Sequence, residues 1–532
     1  MDIQLYIPEI KVTLFKQVVR DPSNFNSSLM GTTSATSTTD LVTVAAQSAA
    51  ASAGLDVDLF GQKPVASPAG FVANQEIDLT PFLGDDGGVR LAKSVRDPAG
   101  GFHLTLAEQP LLHNGVYDSI YAFIEPQDLI EIRLRHNLPG STSGNSPTPP
   151  VYMRGLVTSV DRDQEMGSDG KPHRTVLVSG QDMGKLWQII NLIYTAGYII
   201  GSELLSGFKL FELYGAGYKN VLTAQDFVQQ FVTKILNPFF DSLTPSNSQN
   251  PRAFKFDIGA VPGVVSLQGV QNQQGTLYKL LSYFCDVGVF NELYTESRED
   301  GEYVVFRPSP YKDVNGNVIQ PGAVAATPID VQDADIIALR TGRTDANVAN
   351  YYWTRSERFE LASDVYRQLS AIQGAGATEA ASVNFTRYPN SAEQYYGLRA
   401  MQNDTQMGGD DVTTMSTGLL KADQDLRDVS VVNWINNRRA VTAAQNRDVV
   451  IFETGTARIR CDERIRAGCY VTFHQGQFVS TFYVPRVELD YVPYEGMFMT
   501  LTLERGDGYI KRMNGAQGMQ QSSWLQEMVR SS

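Results

Sequence analysis

The chain has 532 residues, with 44 Lys and Arg against 58 Asp and Glu, giving a formal charge of −14. This argues against non-specific nucleic-acid binding, which relies on basic patches that release condensed counterions. With 42% apolar residues it can bury a large core, and at ~150 residues per domain it divides into roughly three or four modules. Charged residues make up 19%, below the ~25% usual for soluble domains, so part of the polar surface is expected to be covered in an assembly.

The first 20 residues read as strand, with Ile3, Leu5, Ile7 and Ile10, Val12, Leu14 alternating around Pro8. Residues 27–54 hold one charged residue, Asp40, among Ser, Thr, Ala and Gly. Such a segment has too little bulky apolar surface to offset its ordering entropy, and it reads as an insertion that only a neighbour could order. From 102 to 182 the pattern is β. Residues 118–124 lead into a turn at Glu125-Pro126-Gln127-Asp128, after which Ile130, Ile132 and Leu134 share one strand face and Glu131, Arg133 and Arg135 the other, as in a half-buried strand. Beyond a Pro/Ser/Gly/Asn loop at 139–150, strands at 151–160 and 175–178 are joined across polar residues 161–174 as a hairpin. Asp182 is an N-cap for a helix in which Met183, Leu186, Trp187, Ile190 and Ile193 recur at helical spacing.

Residues 183–295 read as mostly helical, with Phe227, Phe231 and Ile235 four apart and a buried helix over 276–290. A strand returns at 301–307, and Asp313-Val314-Asn315-Gly316-Asn317 signals a tight turn. Residues 391–445 are polar and helix-prone, an inserted appendage. The last β block, 449–512, repeats the first: 464–473 is a turn into a strand as at 125–134, 483–489 answers 154–160, and 499–506 answers 175–180, each of the last pair ending in a polar residue and Gly. The same order occurs twice, roughly 330 residues apart, which reads as two copies of one β-module interrupted by a helical domain.

No catalytic, cofactor or metal site is expected. Cys285, Cys461 and Cys469 form no CxxC and have no His at ligand spacing, so they read as free thiols, with a Cys461–Cys469 bridge across their short turn as the alternative. His103, His113, His136, His173 and His474 are scattered, none beside a nucleophile. The carboxylate pairs Glu292/Glu296, Asp410/Asp411 and Asp462/Glu463 are sequence neighbours, which does not supply the opposed geometry glycoside cleavage needs. Gly215-Ala216-Gly217 lacks the context of a phosphate loop. Arg458, Arg460, Arg464 and Arg466 are the densest basic cluster, and pairing with acidic neighbours or a partner subunit is the expected role. The N-terminus shows no secretory pattern. The most apolar charge-free run, 186–202, is 17 residues broken by Gln188, Asn191, Thr195 and Gly197, short of the ~20 a membrane span needs. A soluble protein made in a reducing cytoplasm, without a membrane anchor, is the expectation. At the C-terminus Trp524, Leu525 and Met528 fall on one stripe of a short helix, a candidate partner-binding surface because Trp is enriched among interface anchors.

Four segments, RGLVTSVDRD (154–163), TVLVSGQDMGKLW (175–187), NELYTESREDGEYVVFRPSPYKD (291–313) and YVPRVELDYVPYEGMFMTLTLERGDGY (483–509), together resemble the baseplate hub proteins of contractile-tailed bacteriophages, and more distantly the hub part of type VI secretion spike proteins. The resemblance implies an α+β chain with two tail-tube-like β-barrel modules separated by a helix-rich domain. The first module would span 1–182 with its insertion at 27–54, and the helix-rich domain 183–345. The second module would take 346–390 and 446–512 around an appendage at 391–445, followed by a tail at 513–532. It also implies a non-enzymatic homotrimer in the virion's tail baseplate, assembled in the host cytoplasm. Three copies of two modules would give six similar positions for the hexameric tail tube or tube initiator, and threefold symmetry for the central spike, with the tape-measure protein nearby and DNA passing without specific binding. The alternatives are a tail-associated peptidoglycan hydrolase on a hub-like scaffold, or the hub of a non-viral contractile injection system.

Overall fold

The computed structural model describes residues 8–18, 75–83, 88–113, 116–136, 148–166, 170, 172–195, 198–200, 221–245, 248–266, 275–356, 388–408, 421–475 and 478–516. The fold is α+β, dominated by a sheet of 13 strands. Its first part supplies β1 (Glu9–Phe15), β2 (Glu76–Asp78), β3 (Gly88–Ser94), β4 (Gly101–Ala107), β5 (Leu129–Arg135), β6 (Val151–Met166) and β7 (Pro172–Asp182). The middle supplies α1 (Ala224–Phe231), β8 (Phe254–Ile258), α2 (Leu277–Phe284), β9 (Asn291–Arg298), β10 (Gly301–Pro308), β11 (Ile329–Val331), β12 (Ile336–Gly342), β13 (Tyr351–Ser356), β14 (Ala400–Thr405) and α3 (Lys421–Asn446). β15 (Glu453–Arg460), β16 (Cys469–Gln475), β17 (Phe478–Val492) and β18 (Gly496–Gly506) complete it.

The large sheet runs β12-β15-β18-β17-β3-β4-β7-β6-β5-β1-β2, with β16 beside β17 and β11 beside β16. Two stretches of this path have the same order. β3-β4-β7-β6-β5 in the first part recurs as β12-β15-β18-β17-β16 in the last, all pairs antiparallel. The long strand of each set carries a register irregularity near its middle, at Val157/Ser159 in β6 and at Tyr483/Arg486 in β17. Alternation builds these strands: Phe102, Leu104 and Leu106 of β4, and Met497, Met499, Leu501 and Leu503 of β18, all face one shared core. A second core lies under the helices, where Phe227, Phe231, Leu281, Trp187 and Phe306 pack together. α1 and α2 start at Thr223 and Thr276, whose hydroxyls accept the N–H groups of Asp226 (3.1 Å) and Lys279 (3.2 Å).

Several local expectations change. Asp182 caps as read, accepting the Gly184 N–H at 2.9 Å, but the helix ends at Ile189. Ile190 turns extended and Asn191–Thr195 becomes a strand against Gly275–Thr276. The β-branched run around Ile189, Ile190, Ile193 and Thr195 favours that outcome over helical periodicity. The strand read at 118–124 is Val116–Ser119 followed by a helical turn, Ile120–Phe123. β5 is buried on both faces: Glu131 and Arg135 lie inside along with Ile130, Ile132 and Leu134. β12, read within the helix-rich segment, belongs to the large sheet, whereas β13 pairs in parallel with β14 in a separate two-stranded sheet. The 27–54 insertion and the 513–532 tail beyond 516 lie outside the described residues.

Candidate assembly interface

The two halves of the sheet join where β17 changes partner. Its first part, Phe478 to Val484, pairs with β16, and Arg486 to Tyr491 pair with Ser94 to Val89 of β3. The switch falls at Pro485, which has no N–H to offer a ladder, and whose carbonyl accepts the Val95 N–H at 3.0 Å. Arg90 of β3 stands opposite Asp490 of β17 at 3.6 Å on the exposed side. Lys93 pairs with Asp182 and donates to Thr295 at 3.1 Å. Arg96 reaches Glu504 at 2.5 Å and Tyr311 at 2.9 Å. A cleft of roughly 380 Å³ opens beside this junction, edged by Arg90, His103, Arg458, Asp490 and Phe498.

Behind the junction lie buried charges that β9 and β10 cover. Arg466 donates to the carbonyls of Val151 (2.7 Å), Tyr152 (3.0 Å) and Ser297 (3.1 Å), tying the turn before β16 to β6 and β9. Arg307 holds Glu292 at 2.9 Å and the Gly468 carbonyl at 2.8 Å, and the Tyr483 hydroxyl donates to Glu292. Burial raises the Glu292 pKa, with Arg307 opposing it. Arg154 stands between two carboxylates, Glu131 at 2.6 Å and Glu302 at 3.1 Å. Burial pushes Glu302 up to about 7, only partly offset by Arg154 and by the Ser297 hydroxyl, which donates to it at 2.9 Å. Asp128 is also buried; it accepts from Lys16 Nζ (2.9 Å) and from the N–H groups of Gln17, Val18 and Glu125. These groups fix local backbone geometry, and Arg466, Tyr152 and Ser297 also edge a small cleft with Lys93, Asp182 and Glu296.

The residues singled out in the sequence are spread through this scaffold. Glu292 is bound by Arg307 and Tyr483, while Glu296 pairs with Arg298 and faces Arg466. Asp462 holds Arg464 at 2.6 Å, and Glu463 accepts the His136 N–H at 3.3 Å. Asp410 and Asp411, the glycines at 215 and 217, and Trp524, Leu525 and Met528 lie outside the described residues. Three of the four clustered arginines have acidic neighbours as expected: Arg460 with Asp335, Arg464 with Asp462, Arg466 with Glu296. Arg458 lies over the Phe498 ring. Cys285, Cys461 and Cys469 are free thiols, so the bridge alternative is not formed, and burial pushes the Cys469 thiol up to about 11. Among the described residues no group of three or more His, Cys, Asp or Glu could hold a metal ion, and no helix is long and apolar enough to cross a membrane. No local motif marks the junction residues Arg90, Asp490 and Pro485 in the sequence. Their signal was available only by matching the strands of the two halves one against another.

No protein-family model and no curated protein matches the sequence. Among solved structures, the chain is similar to a tail protein from Neisseria meningitidis MC58, at 10% identity and a TM-score of 0.38 over 82% of this chain and 96% of that one. It is also similar to the 43 kDa tail protein of prophage MuSo2 from Shewanella oneidensis, at 12% identity and a TM-score of 0.39 over 82% and 95%. A third is an E. coli component of the type VI secretion system, described as resembling T4 bacteriophage tail proteins, at 8% identity and a TM-score of 0.32 over 78% and 72%. These three are two tail proteins, one of them from a prophage, and a type VI secretion component.

Proposed function

We propose that this chain is a non-enzymatic hub of a phage tail baseplate, a homotrimer whose three copies of two tail-tube-like barrel modules form a ring of six. Such a ring adapts a hexameric tail tube or tube initiator on one face to a trimeric central spike on the other. The strand order β3-β4-β7-β6-β5 recurring as β12-β15-β18-β17-β16 within one chain carries this reading, because a duplicated module lets three chains offer six near-equivalent positions. The charge of −14 per chain suits a channel through which DNA, and before it the tape-measure protein, passes without sticking. Trp524, Leu525 and Met528 are the proposed anchor for the spike or a neighbouring copy. Removing residues 519–532 without effect on trimerisation or spike binding excludes that role. Light scattering on the purified protein, alone and with its spike, tests the whole reading. Assembly to about three times the 58.6 kDa chain mass is expected, and a strict monomer under both conditions contradicts it.

A further inference from the structure

The two halves correspond residue by residue. Gln127 and Gly468, both with positive φ, stand just before β5 and β16, and each donates its N–H to the long strand, to Val157 O at 2.9 Å and Val484 O at 2.7 Å. One residue later each long strand is irregular, and pairing resumes at Ser159–Ser179 and Arg486–Thr502. Crossing the sheet from there, Ser179 faces His103 and His103 faces Arg90; Thr502 faces Thr456 and Thr456 faces Arg340. Asp163 therefore corresponds to Asp490, and Arg340 to Arg90.

Inside the chain, the second part of β17 is covered by β3, with Asp490 opposite Arg90. The corresponding part of β6, from Ser159 onward, has β7 on one side and, among the described residues, no strand on the other. β12, the counterpart of β3, has β15 on one side and, among the described residues, no strand on its other side.

We propose that these two edges pair with each other between neighbouring copies of this chain, in the register that β17 and β3 use within it. Asp161 then lies opposite Gly342, Arg162 opposite Thr341, Asp163 opposite Arg340 and Gln164 opposite Leu339. This deepens the trimeric-ring reading and rests on it. Charge complementarity supports it: Asp163 and Arg340 reproduce the Asp490–Arg90 pair, and neither has an ion-pair partner among the described residues. Apolar exposure supports it as well. Continuing the ladder by two residues brings Met166, 72% exposed, level with Ile337, 50% exposed. A long uncovered edge invites uncontrolled strand addition, and a dedicated partner edge removes that hazard. Because a β6 edge meets a β12 edge, the contact is heterologous; it propagates around a ring instead of stopping at a two-fold dimer.

Asp163→Cys and Arg340→Cys, introduced together and separately at these exposed positions, test the register with a short bismaleimide and peptide mass spectrometry. The double variant is expected to give covalent dimers and trimers that link the peptide containing position 163 to that containing 340, while each single variant and the unaltered protein run as single chains. Assembly by light scattering without that link overturns the edge pairing and leaves the trimeric reading standing, whereas a strict monomer overturns both. As a check without added thiols, Arg340→Asp is expected to raise the concentration for half-assembly about tenfold, and adding Asp163→Arg to restore it. A double variant that assembles no better than the single reversal contradicts the register.

Discussion

Replacing Glu302 by Gln removes one carboxylate from the pair that shares Arg154 beneath β5 and β6. Glu302 is 1% exposed, and its carboxyl is pushed from 4.5 up to about 7, by burial first, with Arg154 and Ser297 pulling the other way. Between those two pH values the folded chain holds a proton that the unfolded chain has released. Its stability is therefore full below pH 4.5 and falls as pH rises through 7. At ~1.4 kcal/mol per unit, the loss amounts to about 3 kcal/mol by pH 8. Glutamine stays neutral throughout. The variant should accordingly match the wild type near pH 5 and exceed it by roughly 2–3 kcal/mol at pH 8. Guanidinium unfolding of both proteins at pH 5, 6, 7 and 8 measures this, and taking the difference cancels other titrating groups such as Glu292. A difference that does not change with pH, or one that favours the wild type more at pH 8 than at pH 5, refutes the placing of this proton on Glu302.

Gly180→Ala puts a Cβ into the Phe102 ring and 2.6 Å from the Leu156 carbonyl, so a loss of ~1–3 kcal/mol in thermal unfolding is expected; an unchanged Tm contradicts the packing. Asp128→Ala leaves the Lys16 ammonium, 4% exposed, without its counter-charge. That should cost roughly 3–5 kcal/mol in denaturant unfolding, and no loss would show that Lys16 finds another partner. Arg90→Ala, by contrast, breaks a pair whose members are 77% and 42% exposed, and should change stability by less than ~1 kcal/mol, a difference that salt erases.

The recurring strand order was legible in the sequence because turns and alternation survive divergence, but its alignment was not. The glycines closing 175–180 and 499–506 look equivalent, yet the ladders make Leu503 the counterpart of Gly180, with Gly506 three residues further on. Equivalent places carry residues of different size: Phe102 on β4 fills the room left by its partner Gly180, whereas the pair Gly455 and Leu503 puts the glycine on β15, where the Arg340 backbone of β12 comes close. Such exchanges destroy letter-by-letter similarity while the strand order stays. Glu131 and Arg135 read as a solvated face because alternation reports only that one face is apolar. Over Glu131 the cover comes through Arg154 from β9 and β10, more than 150 residues away, while Arg135 pairs with Glu9 of β1. β12 carried no signal of its own, since its IIALRTG run is mostly exposed in the single chain. The junction between β17 and β3 joins residues some 400 apart, and such long-range register is set by the assembled sheet and not by local preference.

Electron microscopy of the assembled particle tests the central claim most directly. The account predicts a closed ring of six similar lobes around an open centre, built from three chains and threefold symmetric, with alternate lobes distinguishable. Particles with two-fold symmetry, open filaments, or isolated chains at concentrations where the protein is otherwise functional would contradict it.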